Sequence, residues 1–198
     1  GEYYHIYNRG NAKENIFREE ADYRFFILKL RQNFLPDERV DRFFRPLPAG
    51  SFSLIAYCLM PNHFHLLIRQ NLETPTSKLL TKLCTSYSKH FNKKYDRVGH
   101  VFQDQFKQKN IQDNDYLLWL SAYIHLNPVW ARLVNTAEQY PWSSIADYTA
   151  VGTGYKGITE AKAILAQFSG CDYKSFLVEA QKIGQEKLNL DYDFEVAD

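Results

Sequence analysis

Two apolar segments, residues 51–59 and 63–69, flank the bend Pro61-Asn62, and this pair constrains the fold more than any other part of the chain. Proline fixes φ and asparagine tolerates turns, so the two segments read as consecutive strands paired antiparallel. The second begins His63-Phe64-His65. Side chains alternate along a strand, so both imidazoles share one face while Phe64 points to the other, where it can be buried. Two imidazoles side by side can hold a divalent metal. Taken alone, such a pair could equally be partly exposed or pH-sensitive surface groups. Its setting in a strongly apolar segment argues for a purpose.

The rest of the chain has room for a core around this hairpin. Its 198 residues are one domain's worth, and apolar and aromatic contents of 45% and 16% are those of a globular protein. No stretch reaches the ~18 apolar residues of a membrane helix, and no secretory signal is visible. Cys58, Cys84 and Cys171 form no Cys-x-x-Cys motif. Buried free thiols in a reducing cytoplasm are the plain reading.

Net charge is only +1, but it is unevenly spread. From Lys78 to Lys109 eight Lys or Arg face two acids, and from Glu138 onward ten acids face five lysines. The basic stretch is interleaved with Tyr87, Phe91, Tyr95, Phe102 and Phe106. That mixture suits single-stranded nucleic acid, with charge on phosphates and rings on bases. For any one lysine or ring, a solvated helix face with its rings in the core is the better reading.

Periodicity predicts a strand over 3–8 turned by Arg9-Gly10-Asn11, and an amphipathic helix over 19–34 ended by Pro36. A loop over 36–50 follows, with a short extended piece at 40–44. Helices are predicted over 76–95 and 113–126, the second capped by Asp113 or Asn114 and stopped by Pro128. Residues 102–111 hold a further strand. Helical segments over 159–167 and 174–188 precede an acidic end that reads as disordered.

The helix from 113 offers a second constellation. Tyr123 and Asn127 are four residues apart and share a face. The amide oxygen of Asn127 is a hard ligand suited to Mg²⁺ or Mn²⁺, and the Tyr123 phenol is a potential nucleophile. Tyr123 could equally be a packing residue with its hydroxyl satisfied. His125, two positions on, faces elsewhere and reads as structural or as a contact to nucleic acid, not as a base.

Five segments now stand in order: Tyr4-His5-Ile6-Tyr7-Asn8-Arg9-Gly10, Tyr57-Cys58-Leu59-Met60-Pro61-Asn62-His63-Phe64-His65-Leu66-Leu67, Gly99-His100-Val101-Phe102-Gln103, Tyr123-Ile124-His125-Leu126-Asn127-Pro128 and Tyr140-Pro141-Trp142-Ser143-Ser144. Together they resemble the single-tyrosine HUH transposases of the insertion-sequence type (IS200-like), especially the REP-associated tyrosine transposases, over roughly residues 3–148. The resemblance implies an α+β fold, an antiparallel β-sheet with helices packed on it in a ferredoxin-like arrangement. It places the transposase domain at 1–148 and a helical C-terminal extension at 149–198.

The resemblance makes His63 and His65 metal ligands, Asn127 the third, and Tyr123 the catalytic nucleophile. It implies a divalent cofactor, Mg²⁺ or Mn²⁺. The substrate would be single-stranded DNA, often carrying a hairpin, nicked through a 5′-phosphotyrosine and rejoined. Arg9, Lys89, Lys93, Lys94, Arg97, Lys107 and Lys109 are the expected DNA contacts. The protein would be cytoplasmic, without a membrane partner, and a monomer or homodimer. One departure is Asp104-Gln105-Phe106-Lys107, where many relatives carry an arginine. Two rival readings remain: a catalytically silent or domesticated regulator binding DNA or RNA hairpins, and a phosphodiesterase using activated water.

Overall fold

Strand β1 (Glu2–Arg9) and helix α1 (Glu20–Phe34) open the computed structural model, which describes residues 1–35, 45–149, 151, 154–168 and 172–188. The hairpin follows as β2 (Phe52–Met60) and β3 (His63–Gln70). Then come helix α2 (Thr76–Lys94), strand β4 (Lys107–Ile111) and helix α3 (Asn114–Trp130). Helices α4 (Ile145–Thr149), α5 (Lys162–Leu165) and α6 (Tyr173–Leu188) complete the described chain. The extended piece expected at 40–44, Cys171 and the acidic end lie outside the described residues.

The strands form one antiparallel sheet in the order β2-β3-β1-β4. With α1 after β1 and α2 after β3, this is the ferredoxin-like βαββαβ arrangement. The expected α+β class, an antiparallel sheet carrying helices, is what the chain adopts. Its sheet is covered on both faces. On one, Ile6, Phe64 and Leu66 pack with Phe26 and Leu30 of α1 and with Tyr87 and Phe91 of α2. On the other, Cys58, Leu67 and Ile111 pack with Leu117, Leu120 and Ile124 of α3. Strand β2 is buried along its whole length, which is why it reads as a continuous apolar run and not as an alternation.

Of the two readings of the aromatic residues among the lysines, the core reading holds. Tyr87, Phe91 and Phe102 are buried core residues, with Tyr95 and Phe106 packed against them. They seat α2 on the sheet and are not a stacking surface for bases. Nor does Pro128 stop α3, which runs on to Trp130. Proline removes only its own hydrogen bond to the preceding turn, and the backbone continues from there, with Ala131 N–H donating to the Asn127 carbonyl. Asp113 does cap the start, accepting from Tyr116 N–H at 2.6 Å. The helical segment expected over 159–167 contracts to α5.

The inner side of α3 is tied to later parts of the chain. Buried His125 pairs Nδ1 with the Tyr173 hydroxyl of α6 at 2.8 Å and Nε2 with Ser144 Oγ at 2.7 Å. Tyr173 also donates to Ser121 Oγ at 3.1 Å. His125 is therefore a structural residue, sealed from any DNA. Among the described residues, no helix is long and apolar enough to cross a membrane.

Candidate active site

The period of two along β3 decides the site. Phe64 is fully buried on the α1/α2 face, with ring centroids 5.1 Å from Phe26 and 5.9 Å from Phe102. His63 and His65 point to the opposite face, towards α3, their rings 5.0 Å apart and nearly perpendicular at 85°. The register places Tyr7 opposite His65 and Arg9 opposite His63, so these β1 residues share that face.

Helix α3 supplies the rest. Its apolar stripe is buried on the sheet, which leaves Trp119, Tyr123, Asn127 and Trp130 half-buried on the adjoining side. The Tyr123 ring stands edge-on to His65, with centroids 5.7 Å apart at 84°. Trp119 stacks on Tyr123 at 5.3 Å and 25°, and Trp130 lies 5.5 Å away at 45°. The Asn127 amide interacts with both Tyr123 and His63, one helical turn bridging phenol and imidazole.

Burial governs the electrostatics. It pushes the Tyr123 phenol up to about 12, against the pull of its hydrogen bond with Asn127. It pushes His63 down to about 4; the Asn127 contact opposes this and the Arg9 charge adds to it. His65 is held well below the usual imidazole range by burial and by neighbouring His63 and His5. All three act to keep the site neutral: a protonated phenol beside two uncharged imidazoles.

The hydrogen bonds of the two imidazoles leave a matched pair of atoms over. His63 Nδ1 meets Asn62 Oδ1 at 2.6 Å, and His65 Nδ1 meets His5 Nε2 at 3.0 Å. The Nε2 atoms of both rings are buried and have no hydrogen-bond partner. Two orphaned buried nitrogens, with the Asn127 amide interacting with His63, suit a divalent ion. Among the described residues, no group of three His, Cys, Asp or Glu side chains could hold a metal, so a third protein ligand would have to be of another type. Asn127 is of that type.

The basic residues are not gathered into one surface. Arg9, Lys107 and Lys109 lie on the histidine face, the two lysines opposite Tyr7 and His5. Nε and Nη1 of Arg9 are buried without a partner. Lys89, Lys93 and Lys94 belong to α2, on the other side of the sheet. Lys89 lines a groove of about 800 Å³ there, with Asn92, His100 and Phe106. Lys94 pairs with Asp22 at 2.5 Å and Glu19 at 2.6 Å, and Arg97 pairs with Glu14 at 3.2 Å. His5 and Trp119 are site residues that sequence reasoning missed. Strand alternation sets His5 on one face with Tyr7 and Arg9, but only the β1–β3 register brings that face to His65.

A family model for IS200-like transposases matches residues 2–127, a span that contains His63, His65, Tyr123 and Asn127. The chain belongs to the IS200-like transposase family. Among solved structures, this transposase is similar in fold to a REP-associated tyrosine transposase bound to a REP hairpin. Identity is 16%, with 79% of this chain and 86% of that chain covered and a TM-score of 0.52. A crystal structure of a Deinococcus radiodurans R1 protein described as a transposase is 12% identical, covering 63% of this chain and 89% of that one at a TM-score of 0.43. No curated protein matches the chain.

Proposed function

We propose that this transposase is a metal-dependent endonuclease and strand transferase acting on single-stranded DNA, with Tyr123 as nucleophile. The observation that carries the reading is the meeting of Tyr123 and Asn127 with two imidazoles whose Nε2 atoms lack partners. His63, His65 and Asn127 would hold Mg²⁺ or Mn²⁺. When bound, the ion supplies Lewis-acid polarisation of the scissile phosphate.

The remaining chemistry belongs to the side chains. Tyr123 Oη loses its proton to solvent and attacks phosphorus. The new O–P bond replaces the bond to the 3′ oxygen, which takes a proton from solvent as it leaves, giving a 5′-phosphotyrosine and a free 3′-hydroxyl. The reverse step, with another 3′-hydroxyl, rejoins strands without ATP. Stacking of Trp119 restricts the phenol to one approach. Arg9, with unpartnered nitrogens beside His63, is placed to receive a phosphate oxygen. The hairpin bound by the REP-associated relative favours hairpin-bearing DNA as substrate. Free thiols at Cys58 and Cys84 fit a cytoplasmic protein.

The test is incubation with end-labelled single-stranded hairpin DNA and Mn²⁺, using Tyr123→Phe as control. A covalent protein–DNA adduct absent from the variant is the expected result. Cleavage that persists in Tyr123→Phe would show hydrolysis by water, and binding without cleavage across many hairpins would show a silent regulator.

A further inference from the structure

We propose that His5 is a positioning residue for the metal site: its Nε2 accepts the Nδ1 proton of His65 and thereby keeps His65 Nε2 unprotonated. The inference rests on the reading that His63 and His65 are the ligands.

His5 is 4% exposed, lies diagonally across the strand pair from His65, and stacks on it with centroids 5.2 Å apart at 23°. Its Nε2 is 3.0 Å from His65 Nδ1. A hydrogen bond between two imidazole nitrogens carries one proton, so only two arrangements exist for the neutral pair. In one, His65 donates from Nδ1 and its Nε2 is a bare lone pair. In the other, His5 donates and the His65 proton sits on Nε2, a buried atom with no acceptor among the described residues. An unmade donor in a buried site is unfavourable, and the first arrangement avoids it.

His63 follows the same logic through a different partner. Asn62 Nδ2 donates to the Lys13 carbonyl at 3.4 Å, which turns Asn62 Oδ1 towards His63 Nδ1. An amide oxygen only accepts, so the His63 proton belongs on Nδ1 and its Nε2 is also bare. Both imidazoles thus present the same nitrogen, one steered by the hairpin turn and the other by β1. A metal ligand held in one tautomer by an outer partner is a recurrent arrangement, and losing that partner typically weakens metal binding about 10- to 100-fold.

The test measures Mn²⁺ affinity by calorimetry on the full chain for wild type, His5→Phe, His5→Gln, His63→Ala and His65→Ala. His5→Phe should lose about 10- to 100-fold in affinity. His5→Gln, whose amide oxygen can accept from His65, should keep most of it. Wild-type affinity in His5→Phe, with binding lost in both alanine variants, would overturn the role of His5 and leave the ligand reading intact. Absence of Mn²⁺ binding in the wild type, or wild-type binding in both alanine variants, would overturn the ligand reading and this inference with it. Long-range ¹H–¹⁵N correlation spectra of the metal-free wild type give a second measurement that needs no variant. His65 should appear protonated at Nδ1, and a proton on Nε2 would overturn the proposal.

Discussion

The ring of Tyr123 meets His65 edge-on, with centroids 5.7 Å apart, although 57 residues lie between them in the chain. Strand β3 and helix α3 thus bring a phenol and an imidazole into contact.

Metal binding should stabilise the fold. At a free Mn²⁺ concentration 100 times Kd, the gain is about 2.7 kcal/mol. For a chain of this length that raises Tm by roughly 5–10 °C. Differential scanning calorimetry should show this shift in wild type and lose it in His65→Ala.

If Tyr123 is the nucleophile, as proposed, Trp119 would orient it. Its stack on Tyr123 is the kind of contact worth about 0.5–1.5 kcal/mol. Trp119→Ala should slow single-turnover cleavage by up to about tenfold, since 1.4 kcal/mol is one decade in rate. Mn²⁺ affinity, measured alongside, should be unchanged.

The two basic groups should behave differently in DNA binding. Lys107 and Lys109 are exposed on the site face. Replacing either with alanine should lower the slope of log K against log salt by about 1. Lys94→Ala should act on thermal stability instead, because its ammonium is engaged by Asp22 and Glu19.

Asp22 makes that engagement pH-dependent. Burial raises its carboxyl, but hydrogen bonds from Lys94, Tyr95 and the backbone N–H groups of Arg18 and Glu19 overcome this and hold it below the ordinary value. A carboxylate depressed by folding contributes stability above its unfolded value, near 3.9, and loses it as pH falls through the folded one. Wild-type stability should fall below about pH 4. Asp22→Ala should cost about 1–3 kcal/mol at pH 7, from the buried donors left unmatched, and flatten the acid limb of a urea-denaturation pH series.

Much of this molecule was legible as period and motif. The hairpin, the two long helices on α1 and α2, and the His-x-His and Tyr-x-x-x-Asn spacings all follow from local rules. Strand alternation and helical repeat say which side chains share a face, and those rules operate within a few residues. They do not say what each face meets. Spacing favours Tyr87, Phe91 and Phe102 as core but leaves stacking rings open; the packing of α2 on the sheet buries them. Lys94 and Lys109 read as one basic patch until the sheet was seen to separate them. Pro128 read as a stop, yet a buried α3 tolerates one missing hydrogen bond near its end.

Local periodicity sets two imidazoles together on one strand face, and a phenol and an amide on one helix face. That these faces meet, and that His5 lies behind His65, follows from long-range packing. The β1–β3 register and the seating of α3 on β2 are set by contacts between residues far apart in sequence, and no local periodicity encodes them.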